Sequence, residues 1–131
     1  MRKIISSFLL VLVIAVASAQ TENQDSAWIK DNYTKLEQLI PMRDGIKLFT
    51  TIYIPNDKSE KHPVLMVRTP YSCSPYGKEF SPRLWCGHWK YYTRENYIII
   101  TQDVRGRWMS EGEFVDVRPF NKNKTGIEID E

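Results

Sequence analysis

Histidine and cysteine are scarce in this chain: its 131 residues hold two of each, His62 and His88, Cys73 and Cys86. Neither histidine has a nucleophile and a carboxylate beside it in sequence, so no catalytic group is announced locally. Charge of one sign is also missing. There are 18 Lys+Arg and 16 Asp+Glu; Arg2 and Lys3 lie in the first 19 residues, which hold no acid, so 16 basic residues face 16 acidic ones beyond them. That balance gives no ground for nucleic acid or an anionic membrane as partner. No internal repeat is present. No apolar run reaches the ~20 residues that a membrane-spanning helix needs, so no stable membrane anchor is expected.

What is present begins with a leader. Met1-Arg2-Lys3 is basic, Ile4 to Val16 is largely apolar, and Ala17-Ser18-Ala19 matches a small-residue cleavage site before Gln20. Residues 1–19 therefore read as a secretory signal peptide, and the mature protein as exported, periplasmic or secreted. Residues 20–35 start polar and read as a poorly ordered N-terminal segment, with order setting in near Trp28. Residues 36–131 form the remaining unit.

Leu36 to Arg43 and Ile46 to Pro55 flank Asp44-Gly45, a dipeptide favoured in two-residue type I′ turns. In the second arm Ile46, Leu48, Thr50, Ile52 and Ile54 alternate with Lys47, Phe49, Thr51 and Tyr53, which predicts a β-hairpin. Pro41 places its first arm at a sheet edge. Val64-Leu65-Met66-Val67 is a short uncharged apolar run and reads as a strand buried on both faces, stopped by Pro70. Ser81-Pro82 has the form of a helix start, with Trp85, Trp89 and Tyr92 on one face up to about Glu95 and Asn96 as a left-handed cap. Tyr97 to Asp103 is a second apolar strand. Strand, helix and strand in that order predict a βαβ crossover and an α/β fold.

Tyr71 follows the first of these strands, at the carboxyl end where open α/β sheets bind ligands. Position alone favours a plainer reading, a ring packed at a loop edge. Asp103, at the end of the second strand, has the chemistry of a catalytic acid or metal ligand. No second acid or His lies at ligand spacing, so it is expected instead in an ion-paired turn with Arg105, where Gly106 supplies a permissive φ. In an oxidising compartment Cys73 and Cys86 could form a disulfide closing a loop of about 14 residues, worth up to roughly 3 kcal/mol. Spacing leaves open whether the sulfurs meet.

Four segments occur in register: Met42-Arg43-Asp44-Gly45, Arg68-Thr69-Pro70-Tyr71, Gln102-Asp103-Val104-Arg105-Gly106-Arg107 and Ser110-Glu111-Gly112-Glu113-Phe114. Together they resemble the N-terminal part of CocE/NonD hydrolases, the X-Pro dipeptidyl-peptidase-like group. The resemblance implies an incomplete α/β-hydrolase sheet and a Ser-Asp-His triad. It also implies that Tyr71 lends its hydroxyl to the oxyanion hole. No cofactor or metal is implied. The substrate would be a small ester or amide, or a short peptide. Yet none of Ser59, Ser72, Ser74, Ser81 or Ser110 stands in a Gly-x-Ser-x-Gly elbow. In the family the elbow, the acid and the His all follow the equivalent of Glu131. The chain thus reads as the N-terminal portion of an exported serine hydrolase, inactive by itself. Its two apolar strands would then lack neighbours and covering helices. The alternative is a small exported β-rich binding protein without catalysis.

Overall fold

The structure, a computed structural model, describes residues 27–81, 84, 88–117, 119–124 and 126. The predicted signal peptide, Trp85, Cys86 and the C-terminal residues 127–131 lie outside them. A helical turn, α1, covers residues 27–32. It leads into β1 (Tyr33–Pro41), β2 (Lys47–Pro55), β3 (Val64–Thr69), helix α2 (Trp89–Arg94) and β4 (Ile98–Asp103). Residues 27–35 thus hold α1 and the start of β1, close to where Trp28 marked the onset of order. Ile29 and Tyr33 are part of the core, so the segment is held by burial that its polar start does not reveal.

The four strands form one mixed sheet in the order β1-β2-β4-β3. The hairpin pairs β1 with β2, β2 runs antiparallel to β4, and β4 runs parallel to β3 across the α2 crossover. This is an α/β arrangement, and Pro41 does lie on an edge strand. The turn differs from the one predicted. Pro41 pairs with Lys47, Met42 N–H reaches Ile46 O at 2.8 Å and Gly45 N–H reaches Met42 O at 3.0 Å. Three residues, Arg43-Asp44-Gly45, make the connection, and of the Asp-Gly pair only Gly45 is left-handed, with φ +84°. A turn closed by a left-handed glycine bulge accounts for this geometry.

One face of the sheet carries the core: Tyr33, Tyr53 and Ile99 pack with Ile29, Leu84 and Trp89, flanked by Leu65, Phe80, Tyr92 and Tyr97. The Tyr33 hydroxyl lies 3.0 Å from Thr93 O and 3.1 Å from Tyr97 O, so its one proton is shared between a carbonyl in the last turn of α2 and one just beyond it. Burial pushes its pKa up to about 12. Helix α2 is shorter than predicted. Ser81 Oγ accepts Leu84 N–H at 3.1 Å, but Leu84 is left-handed at φ +44°, which interrupts helical geometry there. The end of α2 follows expectation. Asn96 has φ +54°, Asn96 N–H bonds Thr93 O and Tyr97 N–H bonds Tyr92 O. With the Tyr92 and Tyr97 rings 5.2 Å apart, this is a Schellman cap with its apolar contact.

The other face is open. Met66, Ile100, Ile52 and Leu36 stand in register across all four strands, and Val64, Met66 and Leu36 are 56%, 44% and 41% exposed. The expectation that β3 is buried on both faces is corrected here. Among the described residues it is an edge strand covered on one side only. Its apolar composition exceeds what covers it, as expected for this strand, whereas β4, also expected to lack neighbours, lies between β2 and β3 with Ile99 buried.

Candidate functional site

The two parallel strands end side by side, since Thr69 is the register partner of Asp103. Tyr71 sits two residues beyond Thr69. Its N–H donates to Thr69 Oγ1 at 3.0 Å, and its ring projects with 78% exposure. Backbone position is thus fixed while the phenol is free to meet a ligand. Next to it, Ser72 is buried and left-handed at φ +89°, a conformation costing about 1–3 kcal/mol in a residue other than glycine.

Asp103 is fully buried, and among the described residues it makes no ion pair of the kind predicted. Its Oδ1 accepts Cys73 N–H at 2.8 Å and Cys73 Sγ–H at 3.0 Å. Its Oδ2 accepts the Tyr76 hydroxyl at 3.0 Å and Met109 N–H at 3.4 Å. Since Tyr76 gives its one proton to Asp103, the 2.9 Å contact between Ser72 Oγ and Tyr76 OH has serine as donor. Ser72 Oγ in turn accepts Ser74 N–H at 3.1 Å. Burial, then the Asp103 carboxylate, raises the Cys73 thiol well above its ordinary pKa. Tyr76 is pushed up to about 12, first by burial, with Asp103 also raising it and Ser72 opposing. Cys73 is a free thiol, and its proposed disulfide partner Cys86 lies outside the described residues.

The ion pair expected at Asp103 is made elsewhere. Arg105 spans to Asp44 in the hairpin turn, with Nη1 to Oδ2 at 2.8 Å and Nη2 to Oδ1 at 3.3 Å. Desolvation alone would raise Asp44, but the Arg105 hydrogen bond, Ile46 N–H and the Arg105 charge hold it below the usual carboxylate range. Gly106 has the permissive φ predicted for it, +67°. From there the chain folds back on β2: Glu111 N–H donates to Lys47 O, Lys47 N–H to Glu111 Oε2, and Phe49 N–H to Ser110 Oγ. Ser110 Oγ–H closes the loop on Asp103 O at 2.7 Å. Trp108, left-handed at φ +53°, donates its indole N–H to Pro70 O at 2.9 Å. That bond ties the β4 exit to the residue before Tyr71.

From below, Lys35 of β1 fixes the loop after Tyr71. Its Nζ donates to Pro75 O at 2.7 Å, Gly77 O at 2.9 Å and Glu79 O at 2.8 Å. It also pairs with Glu37 at 2.9 Å, which accepts Gly77 N–H. Neither Lys35 nor Tyr76 was singled out from sequence. A lysine within a strand and a tyrosine in an irregular loop carry no local sign of long-range partners. His62 bonds the Asp57 carbonyl at 2.8 Å in the β2–β3 connection, and His88 is exposed at the head of α2 beside Tyr91. A cleft of about 340 Å³ is lined by Leu48, Arg68, Pro70, Val104, Phe114 and Val117 among others. What the strand ends offer chemically is an exposed hydroxyl donor carried on an anchored backbone, able to meet negative charge developing on a ligand oxygen.

Residues 44–126, more than half of the chain, match the family model for X-Pro dipeptidyl-peptidases (S15 family). A cocaine esterase from Rhodococcus sp. (strain MB1 Bresler) is 39% identical over 80 residues, which is 59% of this chain and 13% of the esterase. An α-amino acid ester hydrolase of known structure is similar with a TM-score of 0.53 and 38% identity, over 68% of this chain and 15% of that one. An aminopeptidase from the marine sediment archaeon Thaumarchaeota archaeon is similar with a TM-score of 0.56 and 35% identity, over 67% and 15%. The chain thus spans 13% to 15% of the length of these relatives.

Proposed function

Because the chain belongs to the X-Pro dipeptidyl-peptidase (S15) family of hydrolases, we propose that it supplies the oxyanion arm of an exported serine hydrolase cleaving ester or amide bonds. Tyr71 is the donor. As a serine attacks the acyl carbon, negative charge builds on the acyl oxygen, and the Tyr71 hydroxyl stabilises it by a hydrogen bond that strengthens in the transition state. The observation that carries this reading is the pairing of an anchored backbone with an exposed phenol at a parallel strand end. A serine in a Gly-x-Ser-x-Gly elbow, its acid and its histidine would come from sequence equivalent to the relatives' remaining length. Small acyl esters, amides or short peptides are the substrate class, and no cofactor takes part. Export rests on the leader pattern of residues 1–19, with cleavage near Ala19-Gln20. N-terminal sequencing of the mature protein checks it.

In the full-length enzyme, Tyr71→Phe should lower kcat on an aryl ester by roughly 100- to 1,000-fold, the usual loss for one oxyanion donor. KM should change little. Wild-type kcat in the phenylalanine variant refutes the assignment.

A further inference from the structure

One carboxylate holds both loops that leave the parallel strand ends. Asp103 takes the Cys73 N–H and S–H and the Tyr76 hydroxyl from the β3 exit, and Met109 N–H from the β4 exit. Tyr71 is therefore bracketed. Two residues before it, Thr69 accepts its N–H; two residues after it, Cys73 N–H is fixed to Asp103. Both anchors are the terminal residues of adjacent strands and face each other in register. Through Met109, the same carboxylate also fixes the segment whose Trp108 indole bonds Pro70 O, the carbonyl just before Tyr71. Downstream, the restraints nearest the tyrosine backbone come from Ser72, Cys73 and Tyr76, with the Lys35 bonds to the Pro75, Gly77 and Glu79 carbonyls farther along the loop. Cys73 and Tyr76 both end on Asp103, and Ser72 reaches it through Tyr76.

The chemistry calls for an aspartate here. An ionised carboxylate only accepts, and it has sites for about four donors. Four uncharged donors converge on it, and among the described residues no cation meets it. Asparagine has the same size, but its amide N–H₂ would face two of those donors and leave them without an acceptor. Packing would survive that exchange while loop geometry would not.

We propose that Asp103 is a positioning residue for the Tyr71 hydroxyl: through Cys73 and Tyr76 it sets where the phenol stands relative to the reacting acyl oxygen. The proposal rests on the oxyanion reading of Tyr71. The test is a double-mutant cycle in the full-length hydrolase, with rates normalised to titrated active sites. Asp103→Asn should reduce kcat on an aryl ester by at least about tenfold with KM nearly constant, since a misplaced donor loses an interaction made only in the transition state. In the Tyr71→Phe background the same change should cost less than about twofold, because no hydroxyl remains to misplace. If the two losses multiply, or if Asp103→Asn only lowers the titratable fraction, the positioning role is overturned. A silent Tyr71→Phe instead overturns the oxyanion reading. In that case fluorotyrosine at position 71, observed by ¹⁹F NMR, still reports on placement: an Asp103→Asn spectrum identical to wild type overturns the restraint itself. Tyr76→Phe removes one donor and keeps the carboxylate. Should Asp103→Asn fail to fold, this variant should show the same pattern at roughly a third of the loss or more, and a wild-type kcat there refutes the proposal.

Discussion

Lys35→Met is the sharpest probe of what holds the Tyr71 loop in place. The Lys35 side chain is 3% exposed and divides its three N–H donors among the carbonyls of Pro75, Gly77 and Glu79, with Glu37 as counter-ion. Methionine keeps the aliphatic stem and deletes the ammonium. A hydrogen bond from a charged group contributes about 1.5–3 kcal/mol, and removing one partner of a buried ion pair costs about 3–5 kcal/mol. Gly77, Glu79 and part of Glu37 remain within reach of water, which lowers the penalty, so about 3 kcal/mol of local stability should be lost. The expected readout is local. Hydrogen exchange across residues 72–79 should speed up roughly 100-fold, and trypsin should cut after Lys78 at a comparably higher rate. Glu37→Gln leaves the three carbonyl bonds in place and should speed exchange by no more than about fivefold, in keeping with a partly exposed pair. Exchange within about threefold of wild type in Lys35→Met would refute the clamp and leave the Asp103 and Thr69 bonds as what fixes the Tyr71 loop.

Two further predictions concern the β4 exit. In Gly106→Ala the new Cβ would lie 2.1 Å from Phe114 N and 2.5 Å from Glu113 C. Both are backbone atoms that cannot swing aside, so overpacking adds to the left-handed penalty, and a loss of about 2–5 kcal/mol should appear as a lower thermal midpoint. The Asp44–Arg105 pair makes stability depend on acid. The folded carboxyl is held below its ordinary pKa, so its contribution is complete above the unfolded value of about 3.9 and is lost as pH falls through the lower folded value. The difference in thermal midpoint between wild type and Asp44→Asn should be widest near neutrality and close below about pH 4; a difference independent of pH counts against the pair.

Features set by neighbours in sequence were legible. Strand alternation announced the hairpin, Asn96 announced the left-handed cap, and Pro41 announced an edge. Features set by distant neighbours were not. Asp-Gly suits both two- and three-residue connections, and the observed turn also carries Asp44 to Arg105, 61 positions away. Asp103 drew notice as a strand-end acid, but its donors come from residues 73, 76 and 109, and nothing in its own surroundings distinguishes an ion pair from a hydrogen-bond cluster. The run Val64 to Val67 states what a strand would bury, not whether a neighbour is there to cover it. Tyr71 was placed because strand ends have a general chemistry. Its support was missed because Lys35 and Tyr76 act through tertiary contacts alone.

The same uncovered strand predicts how residues 20–131 behave when expressed by themselves. Among the described residues, sheet order leaves β3 with one unpaired edge, and Val64 and Met66 present apolar side chains beside it, continuous with Ile100, Ile52 and Leu36. An exposed apolar strand edge pairs with its own kind, and Lys on such an edge blocks that pairing. The wild-type segment should elute as large assemblies and show no aryl-ester turnover. A Val64→Lys, Met66→Lys double variant should shift the light-scattering mass toward monomer without restoring turnover. The two changes lie on the open face, while Tyr33, Tyr53 and Ile99 build the core on the other, so the variant has the same means of folding as the wild type. A wild-type segment that is monomeric and melts cooperatively would show that the core face alone carries the sheet, and that the open face needs no cover.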